Sequence, residues 1–187
     1  MSIIAVDCDN VICNLQEVVI ELFNKRYNAH YTMEDFTEYD VMNVLPTQDG
    51  IVMRDMYGEH GLYEKVKPYS GASECLQKLI NSGHNVYFVT DAIPKTYGEK
   101  VEFIKRYFPF IDESHIVCMK HKHMFMADVL IEDNLSNLLA SSYYHRICYN
   151  QPWNQSKKDW IYDIHRCYNW EDVVAAVNKI KMESDVY

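Results

Sequence analysis

Along this chain, short apolar runs rich in β-branched residues alternate with longer stretches whose apolar residues recur every three or four positions. The first pattern belongs to buried parallel strands and the second to amphipathic helices. "IIAVD" (3–7), "NVYFVTD" (85–91), "HIVCM" (115–119), "ADVLIED" (127–133) and "YHRICYN" (144–150) read as strands. "LQEVVIELFNKRY" (15–27), with Leu15, Val18, Val19 and Leu22 at helical spacing, reads as a helix. Helices are also predicted over 70–84, where Gly83 is the stop, over 97–109, which Pro109 ends, and over 135–143 and 170–182. Residues 28–67 are mixed and aromatic, with no clear period. Strand and helix in alternation predict an α/β fold, with a parallel sheet covered by helices on both faces.

In such sheets ligands bind outside the carboxyl ends of the strands, so the residue that closes each run matters most. The first run closes on Asp7, with Asp9 two residues on. The second closes on Thr90 and Asp91, and the fourth on Glu132 and Asp133, while Lys122 follows the third. Two carboxylates one residue apart on a strand point to opposite faces, but past the strand end the backbone turns and both can face one crevice. Acid, hydroxyl, base and acid thus converge at one rim.

Charge sharpens this picture. The chain has 18 basic and 27 acidic residues and a formal net charge of −9. Long nucleic acids need a positive stripe, and none is visible. A small phosphorylated substrate would need a cation and a well-placed lysine to approach these acids. Oxygen-only ligands beside a phosphate favour magnesium. Composition adds little else: 48% hydrophobic and 24% charged residues over 187 positions suit one soluble domain with a small insertion. No apolar run nears the ~18 residues of a membrane span. No positive segment precedes Ile3, so a signal peptide is not expected. Six scattered cysteines then read as reduced thiols in a cytoplasm.

The rim suits phosphoryl transfer. Asp7 as a carboxylate nucleophile would split one hard transfer into two easier ones. Asp9 could protonate the leaving alkoxide and later activate water. Thr90 and Lys122 would hold the phosphoryl oxygens in the transition state. Each signal alone has a plain structural counterpart: Asp-x-Asp as a solvated turn, Glu132-Asp133 as a cap for the helix near Leu135. Their joint placement at successive strand ends is what carries the reading.

These residues resemble the haloacid dehalogenase superfamily of phosphatases, in which one strand ends in D-x-D, a second in Thr or Ser, a Lys follows, and a last strand ends in paired acids. The corresponding stretches here are "VDCDNV", "VYFVTDA" and "HKHMFMADVLIEDN". Within the superfamily the chain is similar to the 5′(3′)-deoxyribonucleotidases, through "KPYSGASECLQKL", "YGEKVEFIKRYFP", "HIVCMKHK", "YNQPWN" and "YNWEDV". The resemblance implies a Rossmann-like core at 1–14 and 66–187, with a helical cap at 15–65. It implies a magnesium-dependent nucleotidase that cleaves (deoxy)nucleoside monophosphates through an aspartyl-phosphate. Asp7 would be the nucleophile and Asp9 the general acid/base. The Asp7 carboxylate, the Asp9 backbone carbonyl and Asp133 would hold the metal, and Thr90 and Lys122 the phosphate. Leu15, Tyr63 and Asp91 fall near the substrate pocket, Leu15 and Tyr63 giving it an apolar wall. The implied partner is a small nucleotide, with neither membrane nor long nucleic acid, and a homodimer is left open. The chain departs from the usual pattern at Asn10 (commonly Gly), Leu15 (Phe), Asp91 (Ser), Glu132 (Asp) and Asn134 (Arg).

Other readings compete. Cys118, His121 and His123 form C-x-x-H-x-H, but no fourth zinc ligand follows at finger-like spacing. Cys8 and Cys13 flank the aspartates without a nearby His and read as buried fillers. A phosphatase for another small phosphoester, such as a sugar phosphate, would be separated by a substrate panel. A non-catalytic nucleotide-binding protein would release no phosphate with magnesium.

Overall fold

The computed structural model describes residues 1–140, 145–155 and 162–184. Its centre is a six-stranded sheet in the order β3-β2-β1-β4-β5-β6, with every neighbouring pair parallel. The strands are β1 (Ile3–Val6), β2 (Asn85–Thr90), β3 (Ile116–Cys118), β4 (Val129–Glu132), β5 (His145–Tyr149) and β6 (Ile164–Cys167). β1 is central, with Val6 opposite Phe88 on one side and Ile131 on the other. The strand order reverses there, which opens a crevice at its carboxyl end.

Successive β1 side chains serve opposite layers, as strand geometry requires. Ile4 and Val6 join the main core, with Leu76 and Leu79 of α3 (Ala72–Asn81), Phe103 and Ile104 of α4 (Tyr97–Tyr107), and Val173 and Val177 of α6 (Trp170–Ser184). Ala5 faces the smaller cluster under Leu138 of α5 (Leu135–Leu139). The expected helix over 135–143 is thus observed to Leu139. Its last residues and the start of the strand predicted at 144 fall outside the described residues.

Five strands were expected, and β6 is the addition. "IHRC" has no clean alternation and only Cys167 is buried, so its backbone pairing with β5 makes it a strand. The stretch 28–67 resolves into two single 3-10 turns, Met33–Asp35 and Val41–Asn43, and α2 (Thr47–Met56). With α1 (Leu15–Tyr27) these form a helical insert between β1 and β2. Its neck is pinned: Asn14 N donates to Lys67 O at 3.1 Å, Lys67 N to Asn14 Oδ1 at 2.8 Å, and Tyr69 N to Ile12 O at 2.8 Å. Phe23, Phe36, Met53 and Met56 of the insert join the same apolar cluster as Val6, so the insert is seated on the sheet layer. Among the described residues no helix is long and apolar enough to cross a membrane.

Candidate active site

Asp7 continues the β1 ladder one step further, its N–H donating to Ile131 O at 3.0 Å. The chain then turns sharply, with Val11 N and Ile12 N both donating to Cys8 O. The turn needs a left-handed residue, and Asn10 supplies it at φ 58°. Asn is among the few non-glycine residues that tolerate this region. Its side chain does a second job, since Oδ1 accepts from Gln16 N at 2.8 Å and ties the loop to α1.

Behind this loop lies a buried charge cluster. Lys122 Nζ is 2.7 Å from Asp7 Oδ1 and 2.6 Å from Glu132 Oε2. Burial works against the charge on Asp7, but Lys122 and, more weakly, Lys100 outweigh it and hold the carboxyl below its usual range. Glu132 also accepts from the backbone of Asp133 and Asn134 and from Asn137 Nδ2. It therefore organises the loop that follows β4. Burial, with the charges of Glu132 and Asp7, pushes Asp133 well above the ordinary carboxylate range. Trp153 Nε1 donates to Asp133 Oδ2 at 3.0 Å.

Asp9 has its own buried cation, Lys100, which the sequence reading missed. Lys100 Nζ is 2.8 Å from Asp9 Oδ2, 3.1 Å from Thr90 Oγ1 and 2.5 Å from the Asp91 carbonyl. One signal was present. In α4, Lys100 falls three and four residues before Phe103 and Ile104, on the buried stripe where a charge needs a partner. Tyr63, expected beside the sugar and base, is turned inward. Its hydroxyl donates to Asp9 Oδ1 at 2.8 Å, and its ring packs near Phe103 with Lys100 above it.

Asp7, Glu132 and Asp133 bring carboxylate oxygens within 4.8 Å of one another. Lys122 pairs directly with Asp7 and Glu132 and not with Asp133, so three buried acids stand beside one ammonium, an unfavourable arrangement without further positive charge. Their hard oxygen donors fit a divalent cation such as magnesium. Cys118, His121 and His123 form no comparable group among the described residues, which removes the structural support for a zinc site there. Cys8 and Cys13 are fully buried, and burial pushes the Cys8 thiol well up, as in an unreactive core cysteine.

Between the insert and the carboxyl end of the sheet lies a cavity of about 410 Å³. Asp9, Leu15 and Asp91 line it, with Phe36, Tyr39 and Arg54 from the insert and Trp153 from the core. The expected apolar wall is only partly present. Leu15 and Phe36 supply it, but Gln16, Glu38, Asp40 and Arg54 add polar groups that the unperiodic stretch 28–67 gave no means of placing.

A family model described as "5′ nucleotidase, deoxy (Pyrimidine), cytosolic type C protein" matches residues 1–182. The 5′(3′)-deoxyribonucleotidase of Bacillus subtilis is 25% identical over 174 residues, spanning 92% of this chain and 96% of that protein. A Staphylococcus epidermidis protein assigned provisionally to the same activity is 31% identical over 137 residues, 72% of this chain and 75% of its own. Among solved structures, a haloacid dehalogenase family hydrolase from Deinococcus radiodurans with bound phosphate and sodium has a TM-score of 0.62. It is 13% identical and covers 95% of both chains, so it bears on the fold alone. Hydrolases of this superfamily generally use a divalent metal. With buried acids and lysines at the strand ends and a cavity above them, the chain belongs to the cytosolic type C 5′-nucleotidase family, phosphoric monoester hydrolases on the haloacid dehalogenase fold.

Proposed function

We propose that this protein hydrolyses (deoxy)nucleoside monophosphates to nucleoside and phosphate through an aspartyl-phosphate on Asp7. The observation that carries the reading is Asp7 itself, a buried carboxylate held below its usual range beside Lys122 at the end of the central strand, two residues before Asp9, which lines the cavity. A carboxylate oxygen of Asp7 attacks phosphorus, and the bond from phosphorus to the nucleoside oxygen breaks. Asp9 delivers a proton to that leaving oxygen, then takes one from the water that attacks the phosphoryl-aspartate and frees phosphate. Lys100 and Tyr63 hold the two Asp9 oxygens, which keeps the carboxyl at a fixed angle during both steps. Lys122 and the Thr90 hydroxyl bind the phosphoryl oxygens. The Asp7 and Asp133 carboxylates, with the Asp9 carbonyl, would hold magnesium, which when bound supplies positive charge against the phosphoryl oxygens.

Residues 15–65 act as the cap and the remainder as the phosphatase core. Aromatic and apolar faces from Phe36, Tyr39, Trp153 and Leu15 suit a base and sugar. The test is phosphate release from a panel of deoxy- and ribonucleoside monophosphates beside sugar phosphates, with magnesium and with excess chelator. Turnover of nucleotides that vanishes with chelation supports the reading. Turnover confined to sugar phosphates, or full activity in chelator, overturns it.

A further inference from the structure

Two polar side chains in the cavity wall, Gln16 and Tyr57, are bonded to each other and have no part in the chemistry at Asp7. Gln16 is the second residue of α1, and Tyr57 caps the end of α2, so the pair bridges the two helices of the insert. Gln16 is only 4% exposed, yet it lines the cavity. Its position relative to the catalytic loop is fixed, because Gln16 N donates to Asn10 Oδ1 at 2.8 Å. Glycine at position 10 would make the same left-handed turn without that hold.

The hydrogen-bonding inventory of the pair is incomplete. The Tyr57 hydroxyl donates its proton to Gln16 Oε1. Gln16 Nε2 faces Met53 Sδ at 3.9 Å, and a thioether is a weak acceptor. Reversing the amide would set Oε1 against that sulfur, which has no proton to give, so the neighbours fix its orientation. Among the described residues neither the second Nε2–H nor the Tyr57 oxygen has a further partner. A buried amide with an unused N–H is costly to fold around. The wall therefore presents a donor beside an acceptor. Its complement is a base edge that sets an acceptor beside an N–H, as O4 and N3–H do in uracil. Leu15 and Phe36 line the same cavity and offer apolar surface to the ring.

We propose that Gln16 and Tyr57 read the base of the substrate, Gln16 donating to a ring acceptor and Tyr57 accepting from the neighbouring N–H. The inference rests on the nucleotidase reading and adds to it the residues that set base recognition.

The test compares dUMP, its N3-methyl derivative and 2-deoxyribose 5-phosphate by kcat/KM within each protein, so that any general loss of activity cancels. Wild type should favour dUMP over each of the other two by at least about 10-fold, within reach of one or two neutral hydrogen bonds. Tyr57→Phe keeps the ring and removes the acceptor, and should bring dUMP and its N3-methyl derivative within about 3-fold of each other. Gln16→Leu keeps most of the volume and removes the donor, and should cut the preference for dUMP over deoxyribose 5-phosphate by about 3- to 10-fold. A pair that only fastens α1 to α2 would, when broken, lower Tm and slow all three substrates together; ratios unchanged from wild type would overturn the proposal. Indifference of the wild type to N3 methylation would overturn it as well, in a comparison that needs no variant to fold. Failure of the underlying reading looks different: wild type then turns over deoxyribose 5-phosphate and no nucleotide, and the proposal falls with it.

Discussion

Replacing Lys100 with methionine would remove one buried ammonium and keep most of the side-chain volume. Nζ faces Asp9 Oδ2, Thr90 Oγ1 and the Asp91 carbonyl, all within 3.1 Å. The Lys100 side chain is 2% exposed and that of Asp9 24%. Removing one partner of a fully enclosed ion pair costs about 3–5 kcal/mol, because the survivor is left charged and dry. Asp9 keeps its bond from Tyr63 and some access to water, so a cost of about 2–3 kcal/mol is expected. For a chain of this size that lowers Tm by about 4–12 °C. Asp9 and Thr90 also lose a shared anchor, and misplacement by about 1 Å can cost ~10²-fold in rate. We expect kcat to fall between 10- and 100-fold, since Asp7 and Lys122 are untouched. The assay is thermal unfolding beside steady-state phosphate release. Lys105→Met, on the exposed side of the same helix, serves as the control and should change neither. If Lys100→Met matched Lys105→Met in both measurements, the buried pair would be neither a stabilising nor a positioning contact.

Asp7→Asn removes the attacking charge, and turnover should fall by at least ~10³; near-normal turnover would end the covalent mechanism. Magnesium should restore activity lost to chelation, whereas zinc should substitute poorly at an all-oxygen site that favours octahedral geometry, as a metal-rescue series would read out. Asp133 is raised by burial and by its acidic neighbours, so the folded state disfavours its charge. As pH climbs above the unfolded value near ~4, metal-free wild type should lose stability relative to Asp133→Asn, and magnesium should raise Tm in wild type only. A Tm difference that stays constant across pH would contradict that sign. Leu15 lines the cavity and offers a ribose 2′-hydroxyl no partner. Such walls reject an added hydroxyl by ~10² at most, so dUMP should exceed UMP in kcat/KM within that limit, and Leu15→Asn should narrow the ratio. A wild-type preference for UMP would refute this.

The periodicities of the sequence were enough for the parallel α/β architecture, because burial on two faces or one stripe leaves its mark residue by residue. Strand ends were legible for the same reason: Asp7, Thr90 and Glu132 each interrupt an apolar run, and "VDCDNV" carries a residue able to turn left-handed at Asn10. Periodicity records that a side chain is buried, not what it is buried against. Lys100 lies on an apolar stripe, but its partner Asp9 is 91 positions away and was supplied by packing α4 beside the β1 loop. The sequence put Tyr63 near the point where the chain re-enters the core, while the direction of its hydroxyl, toward Asp9, depended on packing beside Phe103 and Lys100. β6 exists because β5 offers an unpaired edge, a property of the sheet and not of "IHRC". The insert is the extreme case. Its short turns have too few residues to establish a period, so the positions of Tyr39, Arg54 and Phe36 around the cavity were decided when the insert closed onto the core, through contacts that no local pattern encodes.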